Sequence, residues 1–229
     1  SWRESTQGWT IADVSQRFAC YDPAQRHAGV RAAAAAIRRG ALVVFPADAA
    51  YVLAADAFSP AATTALRAAK GRPEHSPLPV LVGNPGVVDA LALGLTDSGR
   101  TLIEAFWPGP VTLLVQPQPS LAWDVDPSGS AVGLRMPLHP VALELLTITG
   151  PLAATGANYA AMAVPLTCDD ALAQLGEAVA IYLDAGTADP SRASAVVDVT
   201  QEPARLARAG SVDLDRLRLA CPDIDTSLE

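Results

Sequence analysis

Two basic residues flanking a glycine are the first feature in this sequence with chemistry in it. Lys70-Gly71-Arg72 puts an ammonium and a guanidinium two positions apart on a tight turn, where they can converge on one ligand. An ammonium is a compact point charge for an oxyanion, while a guanidinium makes bidentate contacts to phosphate. Lys70 is the sole lysine among 16 basic residues, and Asn84 and Asn158 are the only asparagines. That skew suits a high-GC genome, which swaps Lys codons for Arg codons. A lysine that survives it points to a task arginine cannot do, although a plain surface turn also explains Lys-Gly-Arg taken alone.

More polar groups stand at strand ends and in loops. Pro46-Ala47-Asp48-Ala49-Ala50-Tyr51 comes before the Lys70 turn, and Trp107-Pro108-Gly109-Pro110-Val111-Thr112 after it. Arg135-Met136-Pro137-Leu138-His139-Pro140, Thr155-Gly156-Ala157-Asn158, Ser194-Ala195-Val196-Val197-Asp198 and Arg208-Ala209-Gly210 complete the series. Each has a bland reading in isolation: Arg135 as a surface residue, Asn158 as a self-capped turn, His139 as a helix start, Tyr51 as core. The common nucleotide and hydrolase signatures G-x-x-x-x-G-K-[ST], G-x-G-x-x-G and G-x-S-x-G are missing, which removes most of the case for P-loop NTPases, Rossmann dehydrogenases and α/β-hydrolases. His27, His75 and His139 have no metal-ligand spacing. Cys20, Cys168 and Cys221 are far apart, odd in number and without C-x-x-C, so reduced cytosolic thiols are expected, with no metal site.

The elements that must position these groups alternate irregularly. Asp22-Pro23, Ser59-Pro60 and His139-Pro140 each read as an N-cap followed by Pro in the first helical turn. Arg38-Arg39 and Gly40 close the first of these helices, and Gly71 closes the second. Asn84-Pro85, Asp97-Ser98 and Asp213 open further helices, and 169–175 is helical. Strands are expected at 41–45, 78–82, 111–116, 131–135, 151–154, 180–183, 195–199 and 205–208. Residues 116–129, rich in Pro and Ser, read as a loop inside the domain. Strict β-α-β alternation is lacking, so the expected fold is α/β, a single-domain mixed sheet with flanking helices. Residues 1–21 read as an N-terminal extension, 22–219 as the domain and 220–229 as an acidic tail.

Composition sets the outer bounds. The chain has 229 residues, half of them hydrophobic, enough for a sizeable core. No apolar stretch approaches the roughly 18–20 residues that span a bilayer. A net charge of −8 argues against direct nucleic-acid binding, which needs dense Lys/Arg, while one local basic pocket still suits a small anion. A cytoplasmic protein is expected.

Taken in order, the motifs resemble the threonylcarbamoyl-AMP synthase family, the YrdC-like proteins, over roughly residues 25–212. That family reads P-T-D-T-x-Y-G-L, K-x-R, W-P-G-P/A-x-T, R-x-P-x-H-P, S-x-A-N or S-A-N, S-T-x-V-D and L-R-x-G. The resemblance implies a twisted α/β fold with a concave face. It also implies that ATP, bicarbonate and L-threonine form threonylcarbamoyl-AMP and pyrophosphate, after which a downstream transferase moves the group to an adenosine of tRNA. By the same resemblance Lys70, Arg72 and Arg208 take phosphates, Lys70 and Arg72 being catalytic, and Asn158 and Ser194 take the nucleotide. Asp48 and Tyr51 line the amino-acid or bicarbonate end, and Arg135 adds a cation. ATP with Mg2+ is the implied cofactor pair.

The departures from the family pattern are concentrated. Ala47 and Ala49 stand where the family has threonines, and Val52 and Ala54 where it has glycines. Gly156 replaces a serine, Ala195 a threonine, and Ala207 and Ala209 a leucine and a proline. The hydroxyls lost are mostly those of the first loop, which in the family helps hold the amino acid, while the cations remain. This asymmetry suggests a divergent paralogue with an altered acceptor, in specialised metabolism. The competing reading is a catalytically weak nucleotide- or RNA-binding, regulatory module of the same fold.

Overall fold

The computed structural model describes residues 15–228. The Pro-led helices form where their caps predict. Asp22 accepts from the Gln25 amide at the start of α1 (Pro23–Arg38), and Ser59 from the Ala62 amide at the start of α2 (Pro60–Ala69). In α5 (Pro140–Thr149) the cap is His139, whose Nδ1 accepts from the Val141 amide at 3.3 Å. Asn84 caps a single 3-10 turn before the short α3 (Val88–Leu91). Thr96, one residue before the expected Asp97, caps α4 (Asp97–Phe106). Thr167 and Asp213 cap α6 (Cys168–Leu175) and α7 (Leu214–Ala220). In each case a short polar side chain satisfies an amide that the helix leaves without a partner.

Ten strands form one mixed sheet. They are β1 (Gln16–Ala19), β2 (Val43–Pro46), β3 (Tyr51–Asp56), β4 (Val80–Leu81), β5 (Val111–Val115), β6 (Val132–Arg135), β7 (Leu152–Gly156), β8 (Ile181–Asp184), β9 (Ala195–Asp198) and β10 (Arg205–Arg208). Their order across the sheet is β1-β8-β2-β3-β7-β4-β6-β5-β9-β10. Two strands were not anticipated. β1 falls in the stretch expected to be an arm, yet it pairs in parallel with β8 and is tied down by Arg17 to Asp184. β3 falls in the stretch expected to be a loop, yet it is central. The acidic tail is also engaged: Asp225 exchanges backbone hydrogen bonds with Ala204 and Leu206, and Ile224 is buried. The remainder of the expected arm, residues 1–14, lies outside the described residues.

Register shows which face each side chain takes, because neighbours in register share a face. Phe45 pairs with Val52, Val52 with Gly156, and Ala54 with Ala154. Leu81 pairs with Arg135, Gly133 with Leu114, and Thr112 with Val196. These residues share one face, which α1 and α5 cover over Val43, Phe45 and Ala54, leaving it open towards β9. The opposite face, with Val44, Leu53, Val80, Leu113 and Val197, is buried along its length against α2, α4 and α7. Among the described residues no helix is long and apolar enough to cross a membrane.

Tyr51 alternates onto that buried face and is fully inaccessible. Its hydroxyl donates to the Gly186 carbonyl at 2.6 Å and accepts from the Ala185 amide at 3.0 Å. The period-2 geometry of β3 turns Tyr51, expected to line a substrate site, away from the open face, and burial holds its phenol well above the usual value. Tyr51→Phe should therefore cost about 1–2 kcal/mol of stability in urea denaturation, for the stranded partners. It should leave nucleotide affinity unchanged; a loss of affinity without a loss of stability would return Tyr51 to the site.

Candidate functional site

The open part of the first face forms a cleft of about 470 Å3. Val52, Leu81, Leu114 and Val196 give it an apolar floor, with Ala154 and Gly133 as small gaps between them. Arg72, Arg135 and Arg208 supply the charge, and no carboxylate is among the lining residues. An acidic protein thus carries a locally cationic hollow, in a size range suited to small ligands.

Each arginine arrives by a different local device. Arg72 follows Gly71, whose φ of +66° reverses the chain after α2. A Cβ at Gly71 would also lie 2.8 Å from the Tyr159 ring. The Arg72 side chain is exposed and hydrogen-bonds no described residue. Arg208 reaches the cleft through an irregularity in the β9–β10 pairing, which sets it opposite Val196. Its guanidinium donates to the Ser194 carbonyl at 3.0 Å. The close approach that permits this requires Gly210, where a Cβ would lie 2.0 Å from the Ala195 amide nitrogen.

Arg135 is mostly buried. Its Nε donates to the Gly109 carbonyl at 3.1 Å, and Nη2 donates to Asp48 in a close ion pair. Burial pulls this guanidinium down from its ordinary value, Asp48 opposes that shift, and the charge of Arg208 adds to it. Asp48 sits in the turn between β2 and β3 with φ +68°, a left-handed conformation that costs a non-glycine residue roughly 1 kcal/mol or more. It does not line the cleft, so it reaches the site only through Arg135.

Lys70 and Asn158 come together, but behind the wall. The Lys70 ammonium is 1% exposed and donates to the Gly156 carbonyl (2.7 Å), the Asn158 carbonyl (3.0 Å) and Asn158 Oδ1 (2.7 Å). Asn158 Nδ2 is spent on the Ala160 and Met162 carbonyls. Neither side chain lines the cleft, so the expected convergence of Lys70 and Arg72 on one ligand is not present in this arrangement. A buried ammonium demands oxygen partners, and it finds three in the chain. Burial, with the nearby charge of Arg72, brings Lys70 down to about 8.

Ser194 does line the cleft, and its hydroxyl accepts from Thr112 at 3.1 Å. Thr112, Thr155 and the apolar floor complete the site without having been singled out as ligand residues. The signal for Thr112 and Leu114 was available, as the alternate residues of a half-covered strand. His139 stays a cap, held below its usual pKa by burial. Among the described residues no cluster of three or more His, Cys, Asp or Glu could hold a metal. With no carboxylate in the lining either, the residues present do not fit a magnesium ion held by the protein itself.

Comparison with known proteins shows the family of the chain. A Mycobacterium tuberculosis protein, provisionally named a threonylcarbamoyl-AMP synthase, is 44% identical over 204 residues, 89% of this chain and 94% of its own. Threonylcarbamoyl-AMP synthase of Pyrococcus abyssi is 30% identical over 85% of this chain, which spans 58% of its length. The crystal structure of P. abyssi Sua5 complexed with L-threonine superposes with a TM-score of 0.79 at 27% identity. It covers 94% of this chain, and this chain covers 62% of it. The family model Sua5/YciO/YrdC, described as "Telomere recombination", matches residues 35–210. That span contains every cleft arginine and all the strands from β2 to β10, and the chain accordingly belongs to the Sua5/YciO/YrdC family.

Proposed function

We propose that the chain uses ATP to make a carbamoyl-type adenylate, in the manner of threonylcarbamoyl-AMP synthase. In that reaction ATP, bicarbonate and L-threonine give threonylcarbamoyl-AMP and pyrophosphate. The observation that carries this reading is the cleft with three guanidinium groups and no lining carboxylate, in a chain of net charge −8. The names of the relatives support the reaction type, and the threonine bound to P. abyssi Sua5 supports an amino-acid substrate.

In this reading the amine of threonine forms an N–C bond to bicarbonate as a C–O bond breaks and water leaves, and an oxygen of the resulting carbamate attacks the α-phosphorus. A new O–P bond forms as the bond to the bridging oxygen breaks, and the electron pair leaves with pyrophosphate. Arg72 and Arg208 offset the charge gathering on the leaving group, and Arg135 orients an oxygen through its fixed fork. The lining residues include no general base, so catalysis rests on positioning and fixed positive charge. Lys70 serves from behind by holding Gly156 and Asn158 in place. A transferase then takes the product and moves its group to an adenosine of tRNA.

The acceptor end differs from the family pattern. Ala47, Val52 and Gly156, three of the positions that depart from it, line the cleft, with Ala154 and Thr155 among the other lining residues. A site that hydrogen-bonds a substrate hydroxyl rejects an analogue lacking it; a wall without such groups loses that preference. We infer a divergent paralogue whose acceptor has fewer polar groups than threonine.

Pyrophosphate release with ATP, magnesium and bicarbonate, across a panel of amino acids and amines, tests both levels. Release with an apolar acceptor at a higher kcat/KM than with threonine is the expected result. Preference for threonine would leave the adenylate chemistry and remove the altered acceptor. No release with any acceptor, alongside measurable ATP binding, would favour a nucleotide-binding regulatory module. Arg208→Ala should lower release about a hundredfold, the usual scale for one charge-stabilising donor.

Lys70 adds a pH signature. Its folded value of about 8 lies below the ordinary 10.5, so between these values the unfolded chain binds more protons. The cost of burying the charged form is fully present below the lower value and is relieved as pH rises through the window. The stability of the wild type relative to Lys70→Met should therefore grow between about pH 8 and pH 10 in urea denaturation. A flat difference would contradict the depressed value.

A further inference from the structure

We propose that Asp48 is a positioning residue, fixing the Arg135 guanidinium in the cleft without itself touching a ligand. The proposal rests on the reading of that cleft as an anion site. Asp48 is 8% exposed and absent from the cleft lining. It borders instead a separate cavity of about 60 Å3, with Pro110, Leu138 and Arg192. One carboxylate oxygen, Oδ2, receives both the Arg135 Nη2 donor and the Leu138 amide, the latter at 3.0 Å. The Gly109 carbonyl accepts from Nε.

Two points on the guanidinium plane are thereby tied to backbone-anchored groups. A planar fork pinned at Nε and Nη2 cannot rotate, so its remaining donors keep one direction in the cleft. The carboxylate also counters Arg135 charge that Arg208 would otherwise repel. Asp48 thus lets two arginines share one face of the sheet, and it converts one of them from added charge into fixed geometry. The strained backbone at φ +68° is consistent with a turn shaped to aim this carboxylate.

Asp48→Asn is the informative variant. Asparagine accepts a left-handed backbone and keeps an oxygen for the Leu138 amide, while losing the charge that holds the fork. Three readouts on the full chain separate the possibilities: the Arg135 15Nε–1Hε resonance, the affinity for inorganic pyrophosphate by calorimetry, and turnover. We expect a sharp, displaced Arg135 resonance in the wild type that moves to the position of a free arginine in the variant. Pyrophosphate affinity should change by less than about threefold, because no cation is removed, while kcat falls about tenfold or more at nearly constant KM for ATP. Asp48→Gly, which relaxes the left-handed turn, should give the same resonance change if the Asn variant folds poorly.

An unchanged Arg135 resonance in a folded variant would overturn the proposal. So would a raised KM for the acceptor at unchanged resonance, which would place the carboxylate on the ligand. A wild type that turns over no acceptor would sink the catalytic reading of the cleft; the resonance and the pyrophosphate titration would still decide the role of Asp48.

Discussion

Side chains alternate from face to face along a strand, and in this protein consistent register carries that alternation from β2 to β9. The cleft depends on it. A one-residue slip in β6 would exchange Arg135 for Leu134, and one in β5 would exchange Thr112 for Leu113. Such slips are opposed by the fully covered far face, where Leu134, Leu113 and Val197 are all inaccessible. Burial of one face therefore positions the polar residues of the other. Binding residues come from strand ends and turns, while the strands between them need only be apolar and in register.

What could be read directly from the chain was what local chemistry decides. An Asp, Ser or His before Pro marks a helix start because the cap bond and the fixed φ of proline act within a few residues. The cationic members of the site, Arg72, Arg135 and Arg208, were visible as residue types in a recognisable order. Directions were not visible, because partners distant in sequence decide them. Tyr51 is claimed by the β8 end at Gly186, and Lys70 by the end of β7. The missed strands have separate causes. β1 is four residues long and pairs only on one side. β3 follows a turn of Ala47–Ala50 in which Asp48 takes the left-handed position usually given to Gly or Asn, so the hairpin lacks its customary mark.

Net charge and local charge separate cleanly in this molecule. The acids that outnumber the arginines lie largely on outer helices and turns, where pairs such as Arg100–Asp89 are exposed and contribute little to stability. The buried arginine Arg67 is used structurally: it joins α2 to the Pro-rich loop through Asp124 and the Ser76 carbonyl. That loop brings Val125 over the Leu78 amide, and Leu78 borders the cleft. An overall acidity that discourages polyanions therefore coexists with a hollow that suits a small one.

The trio of oxygens around Lys70 has a consequence for how this chain can drift. An ammonium directs three N–H groups tetrahedrally from one atom, and three oxygens at 2.7–3.0 Å from Nζ use that shape. A guanidinium spreads its donors in a plane from three nitrogens and needs more room than a 1%-exposed site offers. Arginine, which fills the other 15 Lys/Arg positions, would meet a steric veto here. The chain's single lysine stands where the shape of the site excludes the basic residue used at every other such position.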